Sequence, residues 1–256
     1  MKKFFAAIAS LLLTCAVPLP AFASEKLVIA AAADLKFAMQ EIVADFKKSN
    51  PGTEVDVVYG SSGKFFAQIQ NGAPFGMFFS ADITYPTELV KSGHAVAPVT
   101  PYAIGRLVVW KEGKDGAALS LEALADPKFQ KIAIANPKHA PYGQRAEEAL
   151  RRVGIFEKVE KRLVLGENIA QAAQFIITGN AQAGVIALSL AMNPEMQSRG
   201  TYTLVSDKLH KPLEQGYVIL KKDHDNPTAK SFAKFVESKP ARSIFSKYGF
   251  ALPTDR

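Results

Sequence analysis

Apolar and polar positions along this chain follow two rhythms. Short uncharged runs, as strands give, alternate with segments whose apolar residues recur every three or four positions, as on one helix face. Leu27-Val28-Ile29-Ala30-Ala31 predicts a strand buried on both faces. Leu35, Met39, Ile42, Val43 and Phe46 then mark one face of a helix that starts at Asp34 and ends at Asn50-Pro51-Gly52. Val55 to Tyr59, rich in β-branched residues, predicts a second buried strand. Phe65, Phe66 and Ile69 mark a second helix, stopped at Asn71-Gly72-Ala73-Pro74. A strand, helix, strand order predicts parallel pairing through a right-handed crossover. Met77-Phe78-Phe79 reads as a short buried strand with Ser80-Ala81-Asp82 at its carboxyl end, and Tyr85 to Lys91 as a short helix stopped by Gly93. Pro98 and Pro101 then break the chain before the strand Leu107 to Trp110, which makes this stretch the first crossing between domains.

The same alternation continues. Leu119 to Leu124 predicts a short helix and Ile132 to Ala135 a strand. Asn136 to Gly143 reads as a long turn, with Ala146, Ala149 and Leu150 on the helix after it. Leu163-Val164-Leu165 is a strand, Gly166-Glu167-Asn168 a turn, and Ile169 to Thr178 a helix. Gly184 to Ala187 lacks charge and predicts a strand buried on both faces. Glu214 to Leu220 is the return crossing, and Phe232, Phe235, Val236, Ile244 and Phe245 pack a final helical pair. The pattern predicts an α/β fold of two lobes with the second inserted into the first: residues 24–104 and 215–256 form lobe one, residues 105–214 lobe two. Ligands of such folds bind at the carboxyl ends of strands, here in the cleft between lobes.

The N-terminus modifies this picture. Met1-Lys2-Lys3, an apolar run from Phe4 to Val17 and the small-x-small triplet Ala21-Phe22-Ala23 read as a secretory signal peptide over residues 1–23, cleaved before Ser24. Its apolar core is shorter than the roughly 20 residues a membrane span needs. The single cysteine, Cys15, falls inside it, and Thr14 is a poor residue for a lipid-attachment signal. The exported chain would therefore be periplasmic and hold no disulfide. Loss of Lys2 and Lys3 lowers the formal charge from +7 to a spread-out +5. Without interleaved aromatic and basic residues, this excess does not suit nucleic acid. It would help to draw in a small anion.

Candidate chemistry centres on Gly60-Ser61-Ser62-Gly63, between the second strand and second helix. Free N–H groups at a helix N-terminus, joined by serine hydroxyls, favour an anion. The same four residues also suit a serine-capped helix with glycines in the turn. Enzyme motifs do not match. A phosphate loop needs Gly at Val58 and Ser or Thr at Phe65, and a nucleophile elbow needs Gly-x-Ser-x-Gly. None of His94, His139, His210 or His224 sits in a triad context, so the chain reads as a binding protein without catalytic residues or cofactor. Asp223-His224-Asp225 gathers metal-ligand types on what reads as an exposed turn. A hard-cation site from Asp34, Asp82 and Tyr142 is the stronger metal alternative.

With these residues in view, the chain resembles the periplasmic molybdate-binding proteins of ABC importers along essentially its whole exported length. The resemblance rests on Ala30 to Leu35, Gly60-Ser61-Ser62-Gly63 with Ala67-Gln68-Ile69, Asn71-Gly72-Ala73-Pro74, Phe79-Ser80-Ala81-Asp82 and Tyr102-Ala103-Ile104-Gly105. It continues in Ala140-Pro141-Tyr142-Gly143, Glu167-Asn168-Ile169 and Lys247-Tyr248-Gly249-Phe250. Tyr142 after Ala140-Pro141 resembles one branch of the family; another branch places its tyrosine near the position of Ala187. The resemblance implies a type II periplasmic binding protein, each lobe a mixed, mainly parallel sheet flanked by helices. It implies a monomer that captures molybdate or tungstate and delivers it to ABC permease and ATPase subunits. It further implies that neutral donors hold the oxyanion: the Ser62 hydroxyl and N–H, Tyr142 and the Ile169 N–H, with Ser61 as a neighbour that also suits a cap. Ala33 and Asp34 complete the set.

Asp34 departs from the family pattern, which carries Ser, Thr or Asn at Ala33-Asp34. An ionised carboxylate has only acceptors. At ~4 Å it would repel a dianion by several kcal/mol even at an effective dielectric near 20. Three resolutions follow: Asp34 turns aside to cap its own helix, Lys36 or Lys64 compensates it, or the ligand carries a proton that Asp34 accepts, as phosphate- or arsenate-like anions do. The first is preferred. The alternative function is a divergent paralogue that takes such a protonated oxyanion or a metal cation.

Overall fold

The computed structural model describes residues 26–113 and 119–253. The signal-peptide reading of residues 1–23, with Cys15, lies outside the described residues. The first part of the chain forms β1 (Leu27–Ala32), a 3-10 turn (Ala33–Leu35), α1 (Lys36–Ser49), β2 (Val55–Gly60), α2 (Ser62–Gln70), β3 (Met77–Ser80), α3 (Thr84–Lys91) and β4 (Ala95–Gly105). The middle forms β5 (Leu107–Glu112), β6 (Ile132–Ala135), α4 (Pro141–Arg152), α5 (Phe156–Val159), β7 (Leu163–Gly166), α6 (Ile169–Ile177), β8 (Ala183–Ala187), α7 (Leu188–Ala191), α8 (Pro194–Arg199) and β9 (Gly200–Leu204). The chain ends with β10 (Leu213–Leu220), α9 (Pro227–Val236) and α10 (Lys239–Lys247). No helix among the described residues is long and apolar enough to cross a membrane.

Two five-stranded mixed sheets result, in the orders β2-β1-β3-β10-β4 and β7-β6-β8-β5-β9. The plan is repeated. Each sheet has a parallel trio, β2-β1-β3 and β7-β6-β8, followed by two antiparallel strands. In each case the antiparallel strand next to the trio, β10 or β5, has just arrived from the other lobe. The chain leaves the first sheet at Arg106 and returns at Leu213, where Leu213 pairs with Gly105 and Gln215 with Ala103. The crossing strands therefore run side by side beneath the cleft.

Burial follows the sequence pattern in the central strands. β1, β3, β6 and β8 are almost wholly buried, as uncharged strands covered on both faces must be. One face of the first sheet packs on α1, α9 and α10 through Phe46, Phe79, Tyr217, Phe232 and Phe245, with Phe79 and Tyr217 stacked at 4.9 Å. The other face packs on Phe65, Ile69 and Leu89 of α2 and α3. A third cluster fills the second lobe around Trp110 and reaches across to Ala32, Ala33 and Ala81.

The structure corrects four expectations. β2 is an edge strand rather than a buried one, with Val58 44% exposed. Pro98 and Pro101 do not interrupt the chain: both lie within β4, an edge strand whose pairing with β10 shifts register. An edge tolerates missing N–H donors, so proline marks an edge here and not a break. Leu119 to Leu124 yields only a 3-10 turn at Glu122–Ala125. Pro141, Tyr142 and Gly143 belong to the first turn of α4 and not to the loop before it, with proline at the position where a missing N–H costs nothing.

Candidate functional site

The repeated topology brings helix starts to one place. The 3-10 turn follows β1, α2 follows β2, and α6 follows β7 after the short Glu167-Asn168 link. These starts, with that of α4, line a narrow gap between the lobes, whose walls include Ala33, Asp34, Ser61, Ser62, Tyr142 and Ile169. All six residues singled out in the sequence therefore meet. No lysine, arginine or histidine is among the residues lining the gap. A larger hollow of about 270 Å³ lies between β4 and α9, away from these residues.

Ser61 and Ser62 divide the work of the glycine turn. The Ser61 hydroxyl caps α2, accepting from the Lys64 N–H at 3.4 Å, and donates to the His139 carbonyl across the cleft at 2.9 Å. Its oxygen also lies 2.8 Å from His139 Nδ1. Ser61 is thus occupied as a cap and an inter-lobe tie. Ser62 is fully buried, and its Oγ accepts from the Ala81 N–H at 3.0 Å. That bond uses a lone pair and leaves the hydroxyl proton available to a ligand. Across the gap, the Asn168 side chain caps α6 by accepting from the Gln171 N–H, so the Ile169 N–H remains one of the helix's free first-turn donors.

Gly63 and Gly105 are required by close approach. The Gly63 N–H donates to the His139 carbonyl at 2.9 Å, and a Cβ there would lie 2.6 Å from that oxygen. A Cβ at Gly105 would collide with the Tyr142 hydroxyl and the Gln215 amide. Two ion pairs flank the gap: an exposed one, Lys64 with Glu167 across the lobes, and a half-buried one, Arg145 with Asp82 at 3.3 Å.

Asp34 does not turn aside. Its carboxylate is 1% exposed, and the turn that contains it has no side-chain cap. Instead, Oδ2 accepts from the Tyr142 hydroxyl at 3.0 Å and from Gln215 Nε2 at 2.7 Å. Oδ1 has no hydrogen-bond partner. Nor do the lysines compensate it: Lys64 is paired with Glu167, and Lys36 lies over the Phe37 ring. Burial raises the Asp34 pKa to about 6, although the bonds from Gln215 and Tyr142 and the nearby N–H groups of Asp34 and Leu35 pull it down. Burial and the Asp34 charge also push the Tyr142 hydroxyl well above its usual range, so it stays a donor.

Behind Asp34 lies a network to which the sequence reading assigned no role. Gln215 is fully buried on β10. Its Oε1 accepts from the Tyr102 hydroxyl at 2.7 Å, which directs Nε2 toward Asp34 and toward the Tyr142 hydroxyl, 3.1 Å away. Tyr102 and Gln215 sit on the two crossing strands, and the Ser189 hydroxyl of α7 donates to the Asp34 carbonyl at 2.8 Å. The available signal was Gln215 itself, a polar residue leading into the apolar run Tyr217 to Leu220.

The metal alternatives are not assembled. Asp82 is held by Arg145 and by the N–H and hydroxyl of Thr84, away from the Asp34 cluster. Asp223 is buried against Asn226 and Lys222 instead of joining its neighbours on an exposed turn. No group of three or more His, Cys, Asp or Glu suited to a metal ion occurs among the described residues.

Known proteins place this geometry in a family. Residues 27–251 match the family described as bacterial extracellular solute-binding protein. The chain is 38% identical to the molybdate-binding protein ModA of Azotobacter vinelandii over 98% of both chains. It is 37% identical to ModA of Rhodobacter capsulatus over 94% of each. The solved periplasmic molybdate-binding protein of A. vinelandii superposes with a TM-score of 0.83 at 30% identity, covering 90% of this chain and all of that one. The chain belongs to the bacterial extracellular solute-binding proteins and, within them, to the family of the ModA molybdate-binding proteins.

Proposed function

We propose that this protein is the periplasmic capture component of an ABC importer and that it binds molybdate, or the isosteric tungstate, between its lobes. The observation that carries this reading is the set of helix starts and hydroxyls meeting at one gap with no cationic side chain among its lining. Hydrogen bonds from neutral donors to a charged acceptor are individually strong, and helix N-termini supply partial positive charge without a counter-ion. Ser62 would donate its hydroxyl and N–H, Ile169 its N–H and Tyr142 its hydroxyl. Ala33 and the Asp34 backbone form the floor, and Ser61 holds the lobes together beside the ligand. These donors bond the oxygens of the oxyanion and leave the metal atom untouched. Binding would draw the lobes together, and the closed form would then be recognised by permease and ATPase subunits. In this scheme the protein acts as a monomer, performs no chemistry and needs no resident cofactor.

Thermal unfolding of the exported chain with molybdate, tungstate, sulfate, phosphate and divalent cations tests the reading. A ligand at 100 times its Kd adds about 2.7 kcal/mol of stability. Molybdate and tungstate are expected to raise the midpoint at micromolar concentrations. A shift with a cation and with no oxyanion would refute the proposal.

A further inference from the structure

Asp34 is among the residues lining the gap in which the oxyanion is placed above, so the inference that follows rests on that placement. Three geometric facts set the problem. Among the described residues no cation pairs with the buried Asp34, Oδ1 has no partner, and Oδ2 holds the Tyr142 hydroxyl. Tyr142 has one proton to donate, and it cannot go to both Asp34 and an anion. An ionised Asp34 therefore opposes a dianion twice: it repels the charge, and it withholds a donor.

We propose that anion binding is coupled to uptake of one proton by Asp34, which thereby changes from a repelling acceptor into a donor and releases the Tyr142 hydroxyl to the anion. The proton comes from solvent and settles on Oδ1, the oxygen without a partner, from which the new O–H donates to the ligand. Oδ2 keeps its bond from Gln215, whose orientation Tyr102 holds. Nothing else is transferred. The coupling makes Asp34 a specificity-determining residue, because a site that must gain a proton favours a dianion able to hold that proton in a shared hydrogen bond.

The groups facing Asp34 from the packed elements leave it as the titrating partner. Tyr142 from α4 and Tyr102 from β4 are both held in their neutral forms by burial. Gln215 from β10 and Ser189 from α7 do not titrate. Burial places the ligand-free Asp34 at about 6, low enough for it to be ionised at neutral pH and high enough to be protonated at modest cost. His139, also near the gap, is held below its usual value by burial, against the pull of Glu167 and with a further push from Lys64; its ring contacts Ser61.

Calorimetric titration with molybdate, in buffers of different ionisation enthalpy, reads both affinity and protons taken up. If binding requires protonated Asp34, affinity scales with the protonated fraction. For a group titrating at about 6, that makes binding about 50-fold weaker at pH 8 than at pH 6. Proton uptake should approach one per anion at pH 8 and fall to about half at pH 6. Asp34→Asn, which carries a permanent donor, and Asp34→Ser should each bind with less than about threefold dependence on pH and no proton uptake. His139→Gln should keep the full pH dependence. Wild-type affinity that is flat across this range without proton uptake overturns the coupling, as does pH dependence that persists in a folded Asp34 variant. Absence of molybdate binding at either pH instead refutes the functional reading, and the coupling falls with it.

Discussion

The two lobes share one strand order but bring different chemistry to the cleft. Lobe two contributes neutral donors: the Tyr142 hydroxyl at the start of α4 and the Ile169 N–H at the start of α6. Lobe one contributes Ser62 at the start of α2, but also Asp34, a buried carboxylate that no cation among the described residues pairs with. The wall from lobe two is a ready anion cradle, whereas the wall from lobe one becomes one only when its carboxyl is neutral. The hydrogen bond from Tyr142 to Asp34 joins the walls at the point where they differ. Fold equivalence thus positions the helix starts, and one side chain decides the electrostatics.

Stability against pH offers the largest expected break in this asymmetry. Asp34 rises from 3.8 in the unfolded chain to about 6 when folded. The folded state then holds its proton more tightly, so the contribution is most favourable below about pH 4 and is lost as pH rises through about 6. The difference of about two units corresponds to about 3 kcal/mol. Asp34→Asn should therefore gain about 3 kcal/mol relative to wild type between pH 4 and pH 8, measured by denaturant unfolding across that range. A constant difference between the two proteins would show that Asp34 is not strained by burial.

Removing one neutral donor from either wall should cost binding comparably. Ser62→Ala in lobe one and Tyr142→Phe in lobe two each delete a hydrogen bond to a charged ligand, worth about 1.5–3 kcal/mol. Molybdate affinity should fall roughly 10- to 150-fold in each at pH 6, read by titration calorimetry. A loss in only one would mean that a single lobe holds the anion.

Gly63→Ala tests closure rather than donation. Its Cβ would press on the His139 carbonyl of the opposite lobe, and overpacking of this kind costs about 1–3 kcal/mol. The expected signature is faster molybdate release in stopped-flow with little change in association, and an unchanged release rate would separate Gly63 from closure. Lys64→Ala removes the exposed pair with Glu167 and should change affinity by no more than about 1 kcal/mol, less at high salt.

Much of this arrangement was legible in the chain. Uncharged runs such as Leu27 to Ala31 and Gly184 to Ala187 must be buried, and turns such as Gly60 to Gly63 must start helices, because local composition alone sets both. Edge status was not legible, since the pairing partners that decide it for Val55 to Tyr59 and for the prolines of β4 lie far away in sequence. The six candidate residues could be named from motifs, but their interactions could not. Whether Asp34 faces Tyr142 or caps its own turn depends on Gln215, 181 positions away. β9 is not marked in the sequence, because Gly200 to Leu204 carries no long apolar run and is shaped by pairing with β5.

The central claim is that a tetrahedral oxyanion sits where the two walls meet, held by Ser62 and Tyr142. Titration of molybdate into the wild-type protein and into the double variant Ser62→Ala, Tyr142→Phe at about pH 6 addresses it directly. One molybdate per wild-type chain, with binding to the folded double variant weakened at least about 100-fold, is the expected result. Wild-type protein that does not bind molybdate, or a double variant that binds it equally well, would contradict the claim.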